Sequence, residues 1–74
     1  MNDVLALRAL TAIVADDGMR ERFLSLTGYD VPTLRARAGE ADVRRAVAEF
    51  LGGHEPDLLR VAGELDVKPE ELLR

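Results

Sequence analysis

The sequence contains no cysteine, one histidine and one serine, and this narrows the chemistry open to it. Without cysteine there is no disulfide and no thiolate metal site, which fits a reducing cytoplasm. One histidine does not provide the three or four ligands of a zinc site. Ser25 and His54 fall in different predicted elements, and nothing in the sequence places them together as nucleophile and base. We therefore predict no catalytic residue, no metal site and no cofactor, with His54 in a solvated loop.

Aromatic residues are also scarce, at 4% of the chain, whereas hydrophobic residues make up 47%. The core must therefore consist mostly of leucine, valine and alanine, a composition that favours helices. No apolar run reaches the roughly 18 residues of a membrane helix. The acidic start, Met1-Asn2-Asp3, lacks the basic region of a signal peptide. We expect a single cytoplasmic domain over residues 1–74 that does not bind membranes.

Basic residues are also fewer than acidic ones, at 10 against 14. The formal net charge is −4 and the pI about 4.8, which opposes general binding to nucleic acid phosphates. One local concentration of basic residues stands out as a candidate partner-binding surface: Arg35, Arg37, Arg44 and Arg45. Such a cluster could meet an anionic partner. The alternative is an ordinary solvated surface, because Glu40 and Asp42 lie among these arginines.

Hydrophobic periodicity predicts an all-α fold, a compact bundle of five or six short helices around a buried N-terminal helix. The first helix should run from Asn2 or Asp3 to Ala15 and is apolar over more than half of its circumference. Such a helix is usually buried by several neighbours, so it should be the centre of the bundle. The later helices are predicted at about 18–27, from Asp30 to near Gly39, at about 40–51, from Pro56 to about Leu65, and from Pro69 onward.

The stretch from Arg22 to Asp30 holds the clearest signal for a helix end and a new start. Gly28 should end the second helix, because glycine enters the left-handed conformation without a Cβ clash. A Schellman ending would bring Tyr29 into contact with Leu24. Asp30 would then cap the third helix. This short stretch should organise the rest of the chain.

The apolar positions of these helices predict the core. The inward positions of the fifth helix are predicted to be Leu58, Leu59, Val61, Ala62 and Leu65. Gly63 weakens that helix by about 1 kcal/mol relative to alanine, which a close helix crossing would explain. For the whole chain, the predicted core is Val4, Leu7, Leu10, Val14, Phe23, Leu24, Leu34, Val43, Val47, Phe50, Leu58, Ala62 and Leu65.

Four short runs carry a resemblance to a known family. They are Arg22-Phe23-Leu24-x-Leu26-Thr27-Gly28, Leu34-Arg35-x-Arg37-Ala38, Phe50-Leu51 and Glu55-Pro56-x-Leu58-Leu59. Together they resemble a family of short, all-helical bacterial proteins known only as a domain of unknown function. The resemblance spans nearly the whole chain and implies a cytoplasmic, all-helical bacterial protein. It implies no activity, cofactor or catalytic residue, and His54 stands where the family is expected to have an acidic residue.

The lack of chemical motifs and the acidic balance lead to a functional prediction. We predict a non-enzymatic protein-interaction or regulatory module with a protein partner of unknown identity. The alternative is a helix-turn-helix-like DNA-binding protein that uses the Arg35–Arg45 cluster. Residues 58–72 have the rhythm of that motif, but its recognition helix would begin with two glutamates and stop at Arg74. A third hypothesis is a small enzyme subunit whose site a partner completes.

Overall fold

Six helices contain 78% of the residues, and the chain has no strand. The computed structural model describes residues 1–74. The helices are α1 (Asp3–Ala15), α2 (Asp17–Thr27), α3 (Val31–Arg37), α4 (Ala41–Gly52), α5 (Glu55–Leu65) and α6 (Pro69–Leu72). The predicted all-α bundle is confirmed. None of the six helices is long and apolar enough to cross a membrane.

The first three helices begin with capping side chains that the sequence supplies locally. In each case a side-chain oxygen accepts the backbone N–H three residues later at 2.8 Å: Asn2 from Leu5, Asp16 from Met19, and Asp30 from Thr33. Such a cap satisfies a backbone donor that the helix itself leaves free, and it typically contributes about 1 kcal/mol. The predicted capping role of Asp30 is therefore confirmed.

Gly28 ends α2 with a φ of +76°, as predicted, but the ending is not a Schellman motif. Its N–H donates to the carbonyl of Leu24 at 2.9 Å, which is the simpler αL ending. The N–H of Tyr29 donates instead to the Thr27 hydroxyl at 3.3 Å, so a nearby side chain replaces the second backbone bond. The Tyr29 hydroxyl donates to Asp42 at 3.1 Å and thereby links this turn to α4.

Helix α1 lies at the centre of the bundle, in contact with α2, α4, α5 and α6. The face turned towards these neighbours carries its four buried residues, Ala6, Ala9, Leu10 and Ile13. They recur at helical spacing, and the two alanines let neighbouring backbones approach closely. The predicted central position of α1 is confirmed, but small residues contribute much of its inner face.

The remaining core residues come from the other five helices. Phe23 of α2 and Phe50 of α4 meet edge to face, with ring centroids 5.3 Å apart and planes at 86°. Leu34 is the one buried residue of α3, and Leu72 anchors the short α6 with no exposed surface. The buried core residues that the predicted core did not contain are Ala6, Ala9, Ile13, Met19, Leu51, Val61 and Leu72.

Some core predictions are wrong. Val4 and Leu7 are 69% and 51% exposed, because α1 turns its alanine stripe inward and the seven-residue α3 is too short to cover the opposite side. Leu59, also 51% exposed, lies on the solvent side of α5. A methyl group at Gly63 would meet no atom within 4 Å, so no close crossing explains this glycine. Three other predicted core residues are half-buried: Val14, Leu24 and Leu65.

Candidate functional site

The four arginines chosen from the sequence do not share one environment. Arg37 binds the carboxylates of Glu40 at 3.0 Å and Asp42 at 2.5 Å. Arg44 binds Asp3 at 2.7 Å and also donates to the carbonyl of Gly39. Local acidic residues therefore neutralise half of the cluster.

Arg35 and Arg45 are exposed and pair with no carboxylate, but they border different depressions. Arg35 lines a groove between α1 and α3. Arg45 lines a second depression together with Arg44, Ala48 and Leu73. The structure therefore keeps only Arg44 and Arg45 on a common surface.

His54 takes part in an ion cluster that the sequence did not predict. Asp57 is the single buried charged residue, at 6% exposure. Both of its oxygens accept from Arg22 Nη2, at 2.8 and 2.6 Å, and His54 Nδ1 lies 2.9 Å from Oδ2. His54 is half exposed and lies, as predicted, in the loop that directly precedes α5, but its contact with Asp57 was not predicted. The cluster clamps α2 to α5, and residues 35 positions apart cannot be paired from local sequence signals.

A second polar cluster fixes the connection between α3 and α4. Burial raises the pKa of Tyr29, and the hydrogen bond to the Asp42 carboxylate raises it further. Burial also acts to raise the pKa of Asp42. The hydrogen bond from the Tyr29 hydroxyl and the charge of the Arg37 guanidinium outweigh it, so the pKa of Asp42 is lowered. Asp42 thus stays ionised between two donors, and this cluster has the character of a structural link.

The most apolar concavity is the groove between α1 and α3, which we call the α1–α3 groove. Its volume is about 360 Å³, and seven of its nine lining residues are hydrophobic. Arg35 is its only charged lining residue. The principal apolar residues are Leu7, Leu10 and Val14 of α1, Val31 and Leu34 of α3, and Ala38 directly after α3. Concave, mostly apolar surfaces with few polar groups are typical binding sites.

The solvent side of α1 forms one wall of this groove. Apart from Asp3, which pairs with Arg44, its exposed residues recur at helical spacing, and we call them the outer face of α1: Val4, Leu7, Arg8, Thr11 and Ala15. On the side facing α5, a shallower depression is lined by Leu7, Thr11, Ala12 and Leu65, with Arg8 and Glu64. The outer face is therefore an apolar ridge between two depressions. This ridge was not predicted from the sequence, because the apolar pattern of α1 placed Val4 and Leu7 in the core.

Comparison with known proteins identifies a family but no relative of known activity. A family model described as "Protein of unknown function (DUF3572)" matches residues 2–74. No curated protein and no solved structure matches the chain. The family match spans all six helices, including both walls of the α1–α3 groove.

Proposed function

We propose that this chain, which belongs to the DUF3572 family of proteins of unknown function, is a non-enzymatic protein-interaction module of the bacterial cytoplasm. In this proposal, a partner protein docks on the α1–α3 groove and the outer face of α1. The observation that carries it is the exposure of Val4 and Leu7 on the central helix, beside a groove lined by seven hydrophobic residues. Exposed apolar surface that is contiguous and rimmed by charge is typical of protein-binding sites.

The groups most suited to chemistry are engaged in structural contacts, which supports a non-enzymatic role. Both oxygens of Asp57 are held by Arg22, and His54 is directed at the same carboxylate. Ser25 is exposed on α2 and makes no side-chain hydrogen bond to His54. A nucleophile needs its base within hydrogen-bonding distance, so this arrangement gives little support to acyl transfer or hydrolysis.

The DNA-binding alternative has less support than protein binding. Arg37 and Arg44 would have to give up carboxylate partners before they could bind phosphates. Helix α6 contains four residues, with Glu70 and Glu71 in its first turn. A recognition helix needs several base-reading side chains in the major groove, and two carboxylates there would repel the phosphates.

The proposal is tested by comparing two leucines of equal exposure on different faces. Leu7 lies in the α1–α3 groove and Leu59 lies on α5 outside it, and each is 51% exposed. Tagged wild-type, Leu7→Ser and Leu59→Ser chains are used to capture partners from native cytoplasm, with quantitative mass spectrometry. We expect a partner that binds Leu59→Ser but not Leu7→Ser, because Leu59→Ser leaves the groove intact.

One control and two possible results make this comparison decisive. Far-ultraviolet circular dichroism should show both variants folded, since each leucine is already half in solvent. Equal recovery of every partner by the two variants would contradict docking in the groove. A salt-dependent complex with duplex DNA that is lost on Arg35→Ala plus Arg37→Ala would favour the DNA-binding alternative instead.

A further inference from the structure

Arg35 is one of four arginines of this chain that have no carboxylate partner, and the only one of the four that lines the α1–α3 groove. Acidic residues outnumber basic ones by 14 to 10. The arginines paired with carboxylates are Arg20, Arg22, Arg37, Arg44 and Arg60. Arg35, in contrast, is exposed at the edge of the α1–α3 groove, where every other lining residue is uncharged. An unpaired guanidinium beside an apolar groove is placed to bind a carboxylate brought by a partner.

A second arginine without a carboxylate partner, Arg8, belongs to the outer face of α1 and lines the depression on the side of α5. Arg8 is exposed, and its Nη2 donates to the carbonyl of Leu65 at 3.2 Å without contacting a carboxylate. The acidic residue of that depression, Glu64, lies 3.8 Å from Arg60. The ridge therefore has a guanidinium without a carboxylate partner on each side, with Glu64 as the one acidic residue that lines the depression on the α5 side.

The shape of this surface suits a helix. From Val4 to Ala15 the ridge extends along three turns of α1, or about 16 Å at 1.5 Å per residue. The larger exposed side chains, Val4 and Leu7, stand at one end, whereas Thr11 and Ala15 leave more room at the other. A helix docked in such a groove uses apolar anchors at i, i+3, i+4 and i+7. Its largest anchors would fit beside Thr11 and Ala15.

We infer that the partner docks through an amphipathic helix of about three turns, with an apolar stripe flanked by acidic residues that bind Arg35 and Arg8. This inference rests on the proposed function, since it specifies the occupant of the same groove. A second copy of this chain fits less well. In a symmetric dimer the same patch meets itself, so the positive flanks of the two copies would face each other.

A charge-swap selection tests the inference. A displayed library of three-turn helices carries fixed leucines at the four anchor positions and random residues elsewhere. It is selected on the wild-type chain, on Arg35→Glu and on Arg45→Glu, which reverses an exposed, unpaired arginine outside the groove. We expect Asp and Glu to be enriched beside the stripe on wild type and Arg45→Glu. On Arg35→Glu, Lys or Arg should replace the acidic residue at one flank of the stripe. Helices selected on the wild-type chain should bind Arg35→Glu with an affinity lower by about threefold or more.

Different results would overturn different steps. The inference of an acidic partner would be overturned if the enriched helices had no charge preference, or if the same charges were enriched on Arg35→Glu. In that case the docking groove itself would still be supported if Leu7→Ser abolished the binding of these helices. Helices that keep binding to Leu7→Ser but not to Leu59→Ser would overturn the proposed groove itself. Failure to enrich any helix would overturn the helical occupant. Dimerisation in sedimentation experiments that Leu7→Ser abolishes would identify a second copy as the occupant.

Discussion

At the scale of single residues, a few positions are fixed by backbone geometry or by burial of charge. Gly28 adopts a positive φ, and Asp57 is buried between Arg22 and His54. In both cases the energetic cost of substitution comes from one identifiable cause. Matched control residues elsewhere in the chain allow each cause to be tested separately.

Gly28→Val should lower the melting temperature far more than Gly53→Ala. A Cβ at Gly28 would meet no atom within 4 Å, so the penalty of adding it lies in the backbone, which has a φ of +76°. A Cβ in this region costs about 1 kcal/mol or more, and a β-branched residue costs more. Gly53 has a φ of −87°, which alanine adopts easily. For this chain length, 1 kcal/mol corresponds to about 4–8 °C. Thermal denaturation that gave equal shifts would mean that the turn at Gly28 does not organise the fold.

Asp57→Ala should lower the free energy of unfolding by about 1–3 kcal/mol. This is less than the loss expected when one partner is removed from a fully buried ion pair, because the Arg22 side chain is 48% exposed. The control is Asp17→Ala, because Asp17 pairs with Arg20 at 3.0 Å but is 87% exposed. Surface pairs of that kind contribute about 0–1 kcal/mol. Urea denaturation measures both. If the two variants lost the same stability, Asp57 would not clamp α2 to α5.

The capping aspartates should make stability fall in acid. A hydrogen bond from the Thr33 hydroxyl, aided by the Thr33 N–H, lowers the pKa of Asp30 from 3.8. The backbone N–H of Met19 is the main cause that lowers the pKa of Asp16. A carboxylate with a lowered folded-state pKa stabilises the fold above its unfolded value, and this contribution is lost as pH falls through the folded pKa.

We therefore expect the melting temperature of the wild-type chain to drop below about pH 4, with a smaller drop for Asp16→Asn plus Asp30→Asn. Asparagine keeps the capping acceptor but does not titrate in this range. Circular dichroism melts at pH 7 and at pH 3 measure the difference. Identical pH dependence of the two proteins would show that these caps do not account for acid sensitivity.

At the scale of elements, the beginnings and ends of the helices were more predictable than the direction each helix faces. Gly28, Asp30 and Pro69 act on their immediate neighbours, so the sequence alone placed those boundaries closely. The rotation of α1 was not predictable, because apolar residues surround the helix and the packing of other helices decides which are buried. Alanines proved more central than Val4 and Leu7.

The candidate site shows the same division between local and distant causes. The four arginines between positions 35 and 45 are close in sequence, and this concentration of basic residues suggested one surface. The pairing of Arg44 with Asp3 joins residues 41 positions apart, and no local pattern indicates it. The α1–α3 groove likewise depends on how far α3 covers α1. The fold class was therefore predictable from the sequence, whereas Arg35 was the one residue of the α1–α3 groove that had been predicted as part of a binding surface.

Helix α6 should be an integral part of the core despite its four residues. Leu72 has no exposed surface, whereas its neighbour Leu73 is 45% exposed. Leu72→Ala removes buried methyl groups and leaves a cavity, so we expect a loss of about 2–4 kcal/mol in the free energy of unfolding. Leu73→Ala should cost much less. Urea denaturation of the two variants provides the measurement, and similar losses would place α6 outside the cooperative core.

At the scale of the whole molecule, the two sides of α1 lie in different environments. Its inner face, built on Ala6, Ala9 and Ile13, joins four other helices into one core with a radius of gyration of 10.8 Å. Its outer face contributes little to that core and remains in solvent. Changes on the outer face should therefore affect binding and leave stability almost unchanged. This separation makes the proposed docking surface open to direct test.

The most direct test is photo-crosslinking inside native cells with p-benzoylphenylalanine in place of Thr11, on the outer face of α1, or in place of Leu59, on α5. Both positions are exposed, and only Thr11 lines the α1–α3 groove. We predict a discrete crosslinked partner from position 11 that is absent from position 59 and is lost when Leu7→Ser is added. The same crosslinked species from both positions, or none from position 11, would contradict the account.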